Sequence, residues 1–366
     1  MNRRSGNKLT ATVIGAGHGG SNTINALLAS DRYELIGVAD MSEAARARVN
    51  DKTGGAVKTY AAADELLKAS PADVVCIATF PGTHLPLTRD AVATGYVRGL
   101  LIEKPLGETT ASGHQILGLV KAAKLPMVVP HWLMACSASL QVLSDVRNGR
   151  IGNLRVVEIE CTNWDMHSTG PHLIQYFLAL VSPSNVQEVL MAADVSTRTF
   201  RTEMQVETEA VTFARTTNGV RLIVNTGDDI SMSRKGACIF MRITGQNGFI
   251  EFDTFKDSYT VVASGQDRVE VSVEPFATKP NQRHLEHLAD QIESGERDYL
   301  IPDQSLSALE VVEAAYQSRR YSKLVSLPLT PETLSSPPKW DPGAPYDGKA
   351  GGRDGRQFLG RYLEQT

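Results

Sequence analysis

The sequence predicts an α/β plus α+β chain, in which an N-terminal doubly wound parallel sheet is followed by a mostly antiparallel open-sheet domain. Three observations carry that expectation. A glycine-rich turn, Gly15-Ala16-Gly17-His18-Gly19-Gly20, follows an apolar run at 9–14. Strand-like and helix-like segments then alternate up to residue 130, the rhythm of a parallel sheet with crossover helices. Beyond Gly152 the rhythm changes to longer alternating strands joined by tight turns such as Asn218-Gly219 and Asn247-Gly248.

Taken in order, residues 9–14 read as a buried strand, 21–30 as a helix with Ile24, Leu27 and Leu28 inward, and 35–39 as the second strand. Strands at 57–60 and 73–79 flank a short helix at 62–69; a helix at 84–94, a strand at 100–103, a helix at 112–124 and a strand at 127–130 complete the first domain. A helix at 137–148 is stopped by Gly149. The second domain then starts with a strand at 154–161 and a helix at 171–181, several strands fill 186–273, and helices at 282–293 and 305–318 close it. The segment 331–355, rich in proline, glycine and charge, reads as an irregular tail that Phe358, Leu359, Tyr362 and Leu363 tether. The expected division is 1–132, 133–329 and 330–366.

The glycine turn points to a bound dinucleotide, and the first domain therefore to a Rossmann fold. Gly15 permits the tight strand-to-helix turn, Gly17 lets the backbone approach a pyrophosphate, and Gly20 allows the helix to pack on its strand, with His18 and Gly19 between them. The helix start then offers its unpaired N–H groups to phosphate. Asp40 ends the second strand, where a carboxylate accepts hydrogen bonds from an adenosine ribose and repels a 2′-phosphate. Met41-Ser42-Glu43 follow it with no arginine, so the expected cofactor is NAD, and Asp40→Ser with Met41→Arg is the pair of changes expected to shift preference to NADP.

Composition narrows the function classes. The chain has 37 Lys and Arg against 41 Asp and Glu, a net charge of −4, and no basic stripe interleaved with aromatics, which argues against nucleic acid as a partner. No apolar run is long enough to span a bilayer. The paired arginines at Arg3-Arg4 are followed by no apolar signal region, and Cys76, Cys136, Cys161 and Cys238 lie far apart, so a reducing, cytoplasmic setting is expected. His284-Leu285-Glu286-His287 lacks the spacing of a zinc motif, and no metal is expected.

Glu103-Lys104-Pro105 falls at the carboxyl end of a sheet strand, where open α/β sheets bind ligands. With Ala78-Thr79-Phe80-Pro81-Gly82-Thr83-His84, Gly149-Arg150-Ile151-Gly152 and Gly170-Pro171-His172 following in order, the chain resembles the Gfo/Idh/MocA (glucose-fructose oxidoreductase/inositol dehydrogenase) family over residues 9–329. The resemblance implies that Lys104 contacts both the nicotinamide ribose and the substrate, that Glu103, Thr79 and His84 lie by the cofactor, and that a cis peptide precedes Pro105. His172, in the first helical turn after Pro171, is the candidate general base; the positive end of the helix dipole disfavours imidazolium and keeps a neutral ring able to take a hydroxyl proton.

Two departures bear on the chemistry. Where the family carries Asp-x-Gly-x-His-x-x-Asp, this chain has Ser168 and Gln175 at the carboxylate positions, leaving Asp165 or His167 to assist the Lys104–His172 pair. At the end of the sixth strand, His131-Trp132-Leu133-Met134 has Met134 in place of an arginine. His131, Trp132, Asn163, Trp164, Asp165 and His167 are the candidate substrate residues.

The expected activity is NAD-dependent oxidation of a secondary hydroxyl on a sugar, polyol or related cyclic alcohol. Redox-neutral, NAD-dependent glycoside cleavage and a non-catalytic NAD-binding regulator are the alternatives. A small-molecule sugar or polyol is the expected partner, and the apolar strands at 207–217 and 220–226 suggest a homodimer or homotetramer.

Overall fold

Leu9–Ile14 (β1) is apolar at every position but Thr10 and Thr12 and is buried almost throughout, as the central strand of a sheet covered on both faces must be. In the computed structural model, which describes residues 8–228, 230–330, 340–346, 348 and 351–355, β1 lies between Tyr33–Ala39 (β2) and Val74–Ile77 (β4). Lys58–Tyr60 (β3) sits at one edge, and Gly99–Ile102 (β5) and Met127–Val128 (β6) lie toward the other. All pairings are parallel, in the order β3-β2-β1-β4-β5-β6. The strand order reverses between β1 and β4, the switch point at which such sheets bind ligands.

Helices His18–Ala29 (α1), Glu43–Thr53 (α2), Ala63–Ala69 (α3), Pro81–Ala93 (α4) and Thr110–Ala122 (α5) make the crossovers. Side-chain alternation sorts the core into two layers. Ala11, Val13, Val74, Cys76 and Leu101 pack with Ile24 and Leu27 of α1 on one face. Ile14, Val75, Ile77, Leu100 and Ile102 pack with Leu66, Ile116 and Val120 on the other. The sequence gives α2 no apolar stripe, only the buried Ala45 and Val49; its ends are set by Ser42, whose side chain accepts from Ala45 N, and by left-handed Gly54.

A second unit begins with Ser137–Arg147 (α6), Leu154–Thr162 (β7) and Gly170–Val181 (α7). Strands Val186–Asp194 (β8), Thr199–Arg201 (β9), Met204–Val206 (β10), Glu209–Thr216 (β11), Arg221–Gly227 (β12), Ile239–Gly245 (β13), Gly248–Asp253 (β14), Ser258–Ala263 (β15) and Val269–Ser272 (β16) follow. The large sheet runs β16-β15-β14-β13-β7-β12-β11-β8 and is antiparallel except for β12 against β7. Its strands alternate: Ala210, Thr212 and Ala214 of β11 are buried, whereas Val211 and Arg215 are exposed. Every residue of α7 is buried, including Gln175 and Tyr176. A helix apolar nearly all round is stable only when enclosed. Tyr176 meets Phe252 edge to face with ring centroids 6.0 Å apart and donates its hydroxyl to the Ser139 carbonyl at 2.7 Å.

The chain then returns to the first sheet. Pro280–Ser294 (α8), expected in the second domain, packs Leu285, Leu288 and Ala289 into the β1 core layer, and Leu285 O accepts from Tyr33 Oη at 2.6 Å. The two compact units are accordingly Met1–Ala135 with Ala277–Leu306, and Cys136–Phe276 with Ser307–Thr366, the long helix Leu300–Tyr321 (α9) running from one to the other. Val325–Ser326 (β17) adds to the edge at β8.

The expected irregular tail is also corrected in part. Arg353–Asp354 (β18) joins β9 and β10 in a small sheet, and backbone bonds from Gly343 N to Gln205 O (2.8 Å) and Gln205 N to Ala344 O (2.8 Å) lay the preceding stretch along β10. Asp341 is fully buried between Arg319 and Arg320. The tethering residues Phe358, Leu359, Tyr362 and Leu363 lie outside the described residues. Among the described residues, no helix is long and apolar enough to cross a membrane.

Candidate active site

Strand register brings the sequence-predicted cofactor residues together at the carboxyl edge of the first sheet. Gly15 N donates to Ala39 O at 2.7 Å, Ala78 N to Ile14 O at 2.8 Å and Glu103 N to Ile77 O at 2.9 Å, extending the ladders just past β1, β4 and β5. Gly15 has φ +96°, and a Cβ there would stand 2.4 Å from Ala78 O. A Cβ on Gly20 would stand 1.9 Å from Gly15 O. Gly17 is different: an added Cβ meets nothing within 4 Å. The protein's own packing demands glycine at 15 and 20, whereas position 17 faces open space, the room a pyrophosphate needs to approach the backbone. Gly17 is also the N-cap of α1 with no side chain to satisfy the first N–H groups, and His18 beside it is exposed. These residues fit a dinucleotide.

The Asp40 carboxylate holds this turn. Its Oδ2 accepts from Ala16 N at 2.6 Å and Oδ1 from Ser42 N at 2.8 Å, and each oxygen keeps a second lone pair for a ribose hydroxyl. Sequence reasoning missed Arg46, whose Nη1 donates to the carbonyls of Asp40 (2.7 Å) and Met41 (3.0 Å) and places a cation on the same loop. An arginine therefore need not be added. Asp40→Asn alone is expected to lower NAD affinity about 10- to 100-fold, the loss of a charged hydrogen bond, and to admit NADP. Titration of both cofactors checks this, and undiminished discrimination against NADP contradicts it.

Glu103 lies against the turn: a Cβ on Gly19 would be 3.1 Å from its carboxylate, and Glu103 Oε2 accepts from Lys104 N at 3.2 Å. Burial pushes the Glu103 carboxyl up, and the Lys104 charge partly offsets this. The Lys104–Pro105 peptide is cis. Thr79, half-buried on the loop after β4, receives the Thr83 hydroxyl at 2.7 Å. The His84 ring is fully enclosed, with Nε2 3.1 Å from Thr79 O and Nδ1 3.3 Å from Leu106 O, and it joins the loop after β4 to the segment carrying Lys104.

His131 lies within the first unit's interior. It is fully buried, with Nε2 2.9 Å from Ser305 Oγ, and its carbonyl accepts from His284 Nε2 at 3.0 Å. Burial first, then the charges of His284 and Lys104, hold its pKa well below the usual histidine value. Trp132 is half-buried on a single 3₁₀ turn, Trp132–Met134.

The second unit carries His172 in the first turn of α7, 8% exposed, with its N–H donating to Thr169 O at 3.0 Å. The segment leading to it is fixed from below. Asp165 pairs with Arg201 Nε at 3.1 Å and accepts from Ser168 N at 2.7 Å. Asp165 and His167 are both buried; Asn163 and Trp164 are half-buried, and the Arg201 guanidinium lies 5.0 Å from the Trp164 ring centre.

Sequence reasoning also missed Glu207, since a lone glutamate before a strand carries no local signal. Its Oε1 accepts from Met166 N at 2.6 Å and its Oε2 from Tyr316 Oη at 2.7 Å. Burial and the neighbouring Asp165 push the Glu207 carboxyl up to about 7. The folded protein thus binds this proton more tightly than the unfolded chain. The resulting stability is fully present below the ordinary glutamate range near 4.5 and is lost as pH rises through about 7. Glu207→Gln, which keeps the acceptor for Met166 N, is expected to flatten that fall between pH 5 and 8 in thermal melts; an unchanged slope contradicts the assignment.

Residues 9–131 match the model of the oxidoreductase family with an NAD-binding Rossmann fold, GFO_IDH_MocA. The chain is 31% identical over 153 residues to the rhizopine catabolism protein MocA of Rhizobium meliloti, a stretch that is 42% of this chain and 46% of that protein. The chain thus spans less than half the length of that curated relative. Its fold is similar to levoglucosan dehydrogenase solved with NADH and levoglucosan, at TM-score 0.75 and 15% identity over 88% of this chain and all (100%) of that one. It is also similar to an aldose-aldose oxidoreductase from Caulobacter crescentus, at TM-score 0.73 and 17% identity over 88% and 100%. The glycine turn, Asp40 and Lys104 all fall inside residues 9–131, the span that matches the Gfo/Idh/MocA oxidoreductase family model.

Proposed function

We propose that the protein is an NAD-dependent dehydrogenase that oxidises a secondary hydroxyl of a sugar, polyol or related cyclic alcohol. The observation that carries this reading is Lys104 at the carboxyl end of β5, beside Glu103, whose carboxylate lies against Gly19 of the glycine turn. NAD, when bound by Gly15, Gly17, His18, Gly19, Gly20, Asp40, Thr79 and Glu103, supplies the hydride acceptor. Lys104 donates a hydrogen bond to the reacting hydroxyl oxygen and stabilises negative charge developing there. His172 takes the hydroxyl proton on a ring nitrogen and returns it in the reductive direction. Trp132, Asn163 and Trp164 offer apolar and polar contacts to a ring.

Ser168 and Gln175 favour one second reading, redox-neutral glycoside cleavage through transient oxidation, because the carboxylates that would raise the basicity of His172 are absent. A panel of sugars, polyols and glycosides separates the two when NADH formation and product release are followed together. Stoichiometric NADH supports the dehydrogenase, and sugar release without net NADH overturns it. Leu190 and Val211, exposed on the adjacent strands β8 and β11, support a homo-oligomer formed through this sheet face.

A further inference from the structure

Arg201 is 3% exposed, and a guanidinium so enclosed needs acceptors for its five donors. Three acceptors reach it from two parts of the chain. Nε faces Asp165 Oδ2 at 3.1 Å, and Nη1 and Nη2 both donate to Asn163 O at 3.2 Å. The remaining bond runs to the C-terminal tail: Nη2 donates to Gly355 O at 2.9 Å. One side chain thus grips both ends of the turn that leads to His172 and, at the same time, a carbonyl more than 150 residues away in sequence. The fit is close, since a Cβ on Gly355 would stand 2.9 Å from Arg201 Nε.

The gripped turn is one that needs external support. Asn163 has φ +65°, a left-handed conformation that a non-glycine residue keeps only when its surroundings fix it. Its N–H is taken by Gly227 O at 2.7 Å and its carbonyl by Arg201. The tail in turn is anchored independently of Arg201. Tyr346 stacks on Phe200 with centroids 4.1 Å apart and planes 9° from parallel, Arg353 pairs with Asp228, and Arg353 N donates to Arg198 O at 2.7 Å.

We propose that Arg201 is a positioning residue for the segment 163–169, which carries the candidate substrate residues Asn163, Trp164, Asp165 and His167 and leads into His172, and that the C-terminal tail completes its site through the Gly355 carbonyl. The role in catalysis rests on the function proposed above; the coupling of tail to turn does not. The tail is therefore part of the machinery that orients substrate. Withdrawing the Gly355 carbonyl leaves a buried guanidinium short of an acceptor, and the guanidinium then drifts from Asn163 and Asp165.

Hydrogen exchange of the full chain, read by mass spectrometry on peptides covering 163–169, tests the coupling without relying on activity. Gly355→Val presses on the guanidinium, Tyr346→Ala loosens the tail at a distance, and Arg201→Lys keeps the charge but loses the fork. Exchange in 163–169 is expected to rise about tenfold in each, a loss of about 1.4 kcal/mol of local protection, while peptides covering 9–20 and 99–102 are unchanged. On a substrate that the unaltered chain oxidises, KM is expected to rise several-fold with NAD affinity constant. Unchanged exchange in 163–169 in the variants that fold overturns the proposal, as does a uniform loss of protection across the second unit. A chain that oxidises no hydroxyl substrate fails the function proposed above, and the exchange result still decides this one.

Discussion

His172→Ala is expected to lower turnover about 10³-fold, the usual worth of a positioned general base, with NAD affinity unchanged because the cofactor residues belong to the other unit. The histidine sits at the start of a wholly buried helix, and only a small part of its ring is exposed. Lys104→Ala is expected to cost turnover to a similar degree, through loss of the hydrogen bond to the developing alkoxide. Removing both should cost little more than removing one, since groups acting as a unit are not additive. Single-turnover kinetics with NAD titrated separately checks this pair. Turnover retained in His172→Ala contradicts its assignment as base.

The second large effect separates two glycines of one turn. Gly20→Ala puts a methyl 1.9 Å from Gly15 O, which forces the turn open. A destabilisation of about 3 kcal/mol is expected, lowering the melting temperature by roughly 6–12 °C for a domain of this size, together with loss of NAD binding. Gly17→Ala meets no protein atom within 4 Å, so stability is expected to change by less than about 0.5 kcal/mol. NAD affinity should nevertheless fall steeply, because the methyl enters the space through which the backbone approaches the pyrophosphate. Equal effects of the two substitutions on melting temperature would show that the turn is shaped by something other than these contacts.

What the sequence makes legible is what short-range chemistry decides. The glycine turn, Asp40 and Glu103-Lys104-Pro105 all lie at strand ends, and parallel register alone brings them together. Helix α2 shows the limit of periodicity: its faces are nearly all exposed, and only Ser42 and Gly54 mark it. The burial of His84 and His131 is likewise set by the fold, since a histidine in sequence carries no sign of how enclosed it will be. Helix α8 carries an apolar stripe but no label saying which sheet it covers. Arg201 and Glu207 reach the turn from 38 and 41 residues away, and Tyr316 reaches Glu207 across 109 more, distances over which no sequence pattern reports.

Deuterium transfer tests the central claim most directly. The full chain is incubated with NAD and a panel of sugars and polyols deuterated at their secondary carbinol carbons, and the reduced nicotinamide is weighed by mass spectrometry. The account predicts deuterium on the nicotinamide in stoichiometric yield with the ketone product, and loss of that label in His172→Ala and Lys104→Ala. Absence of labelled NADH from every substrate, or release of a glycosidic product with no net NADH, contradicts it.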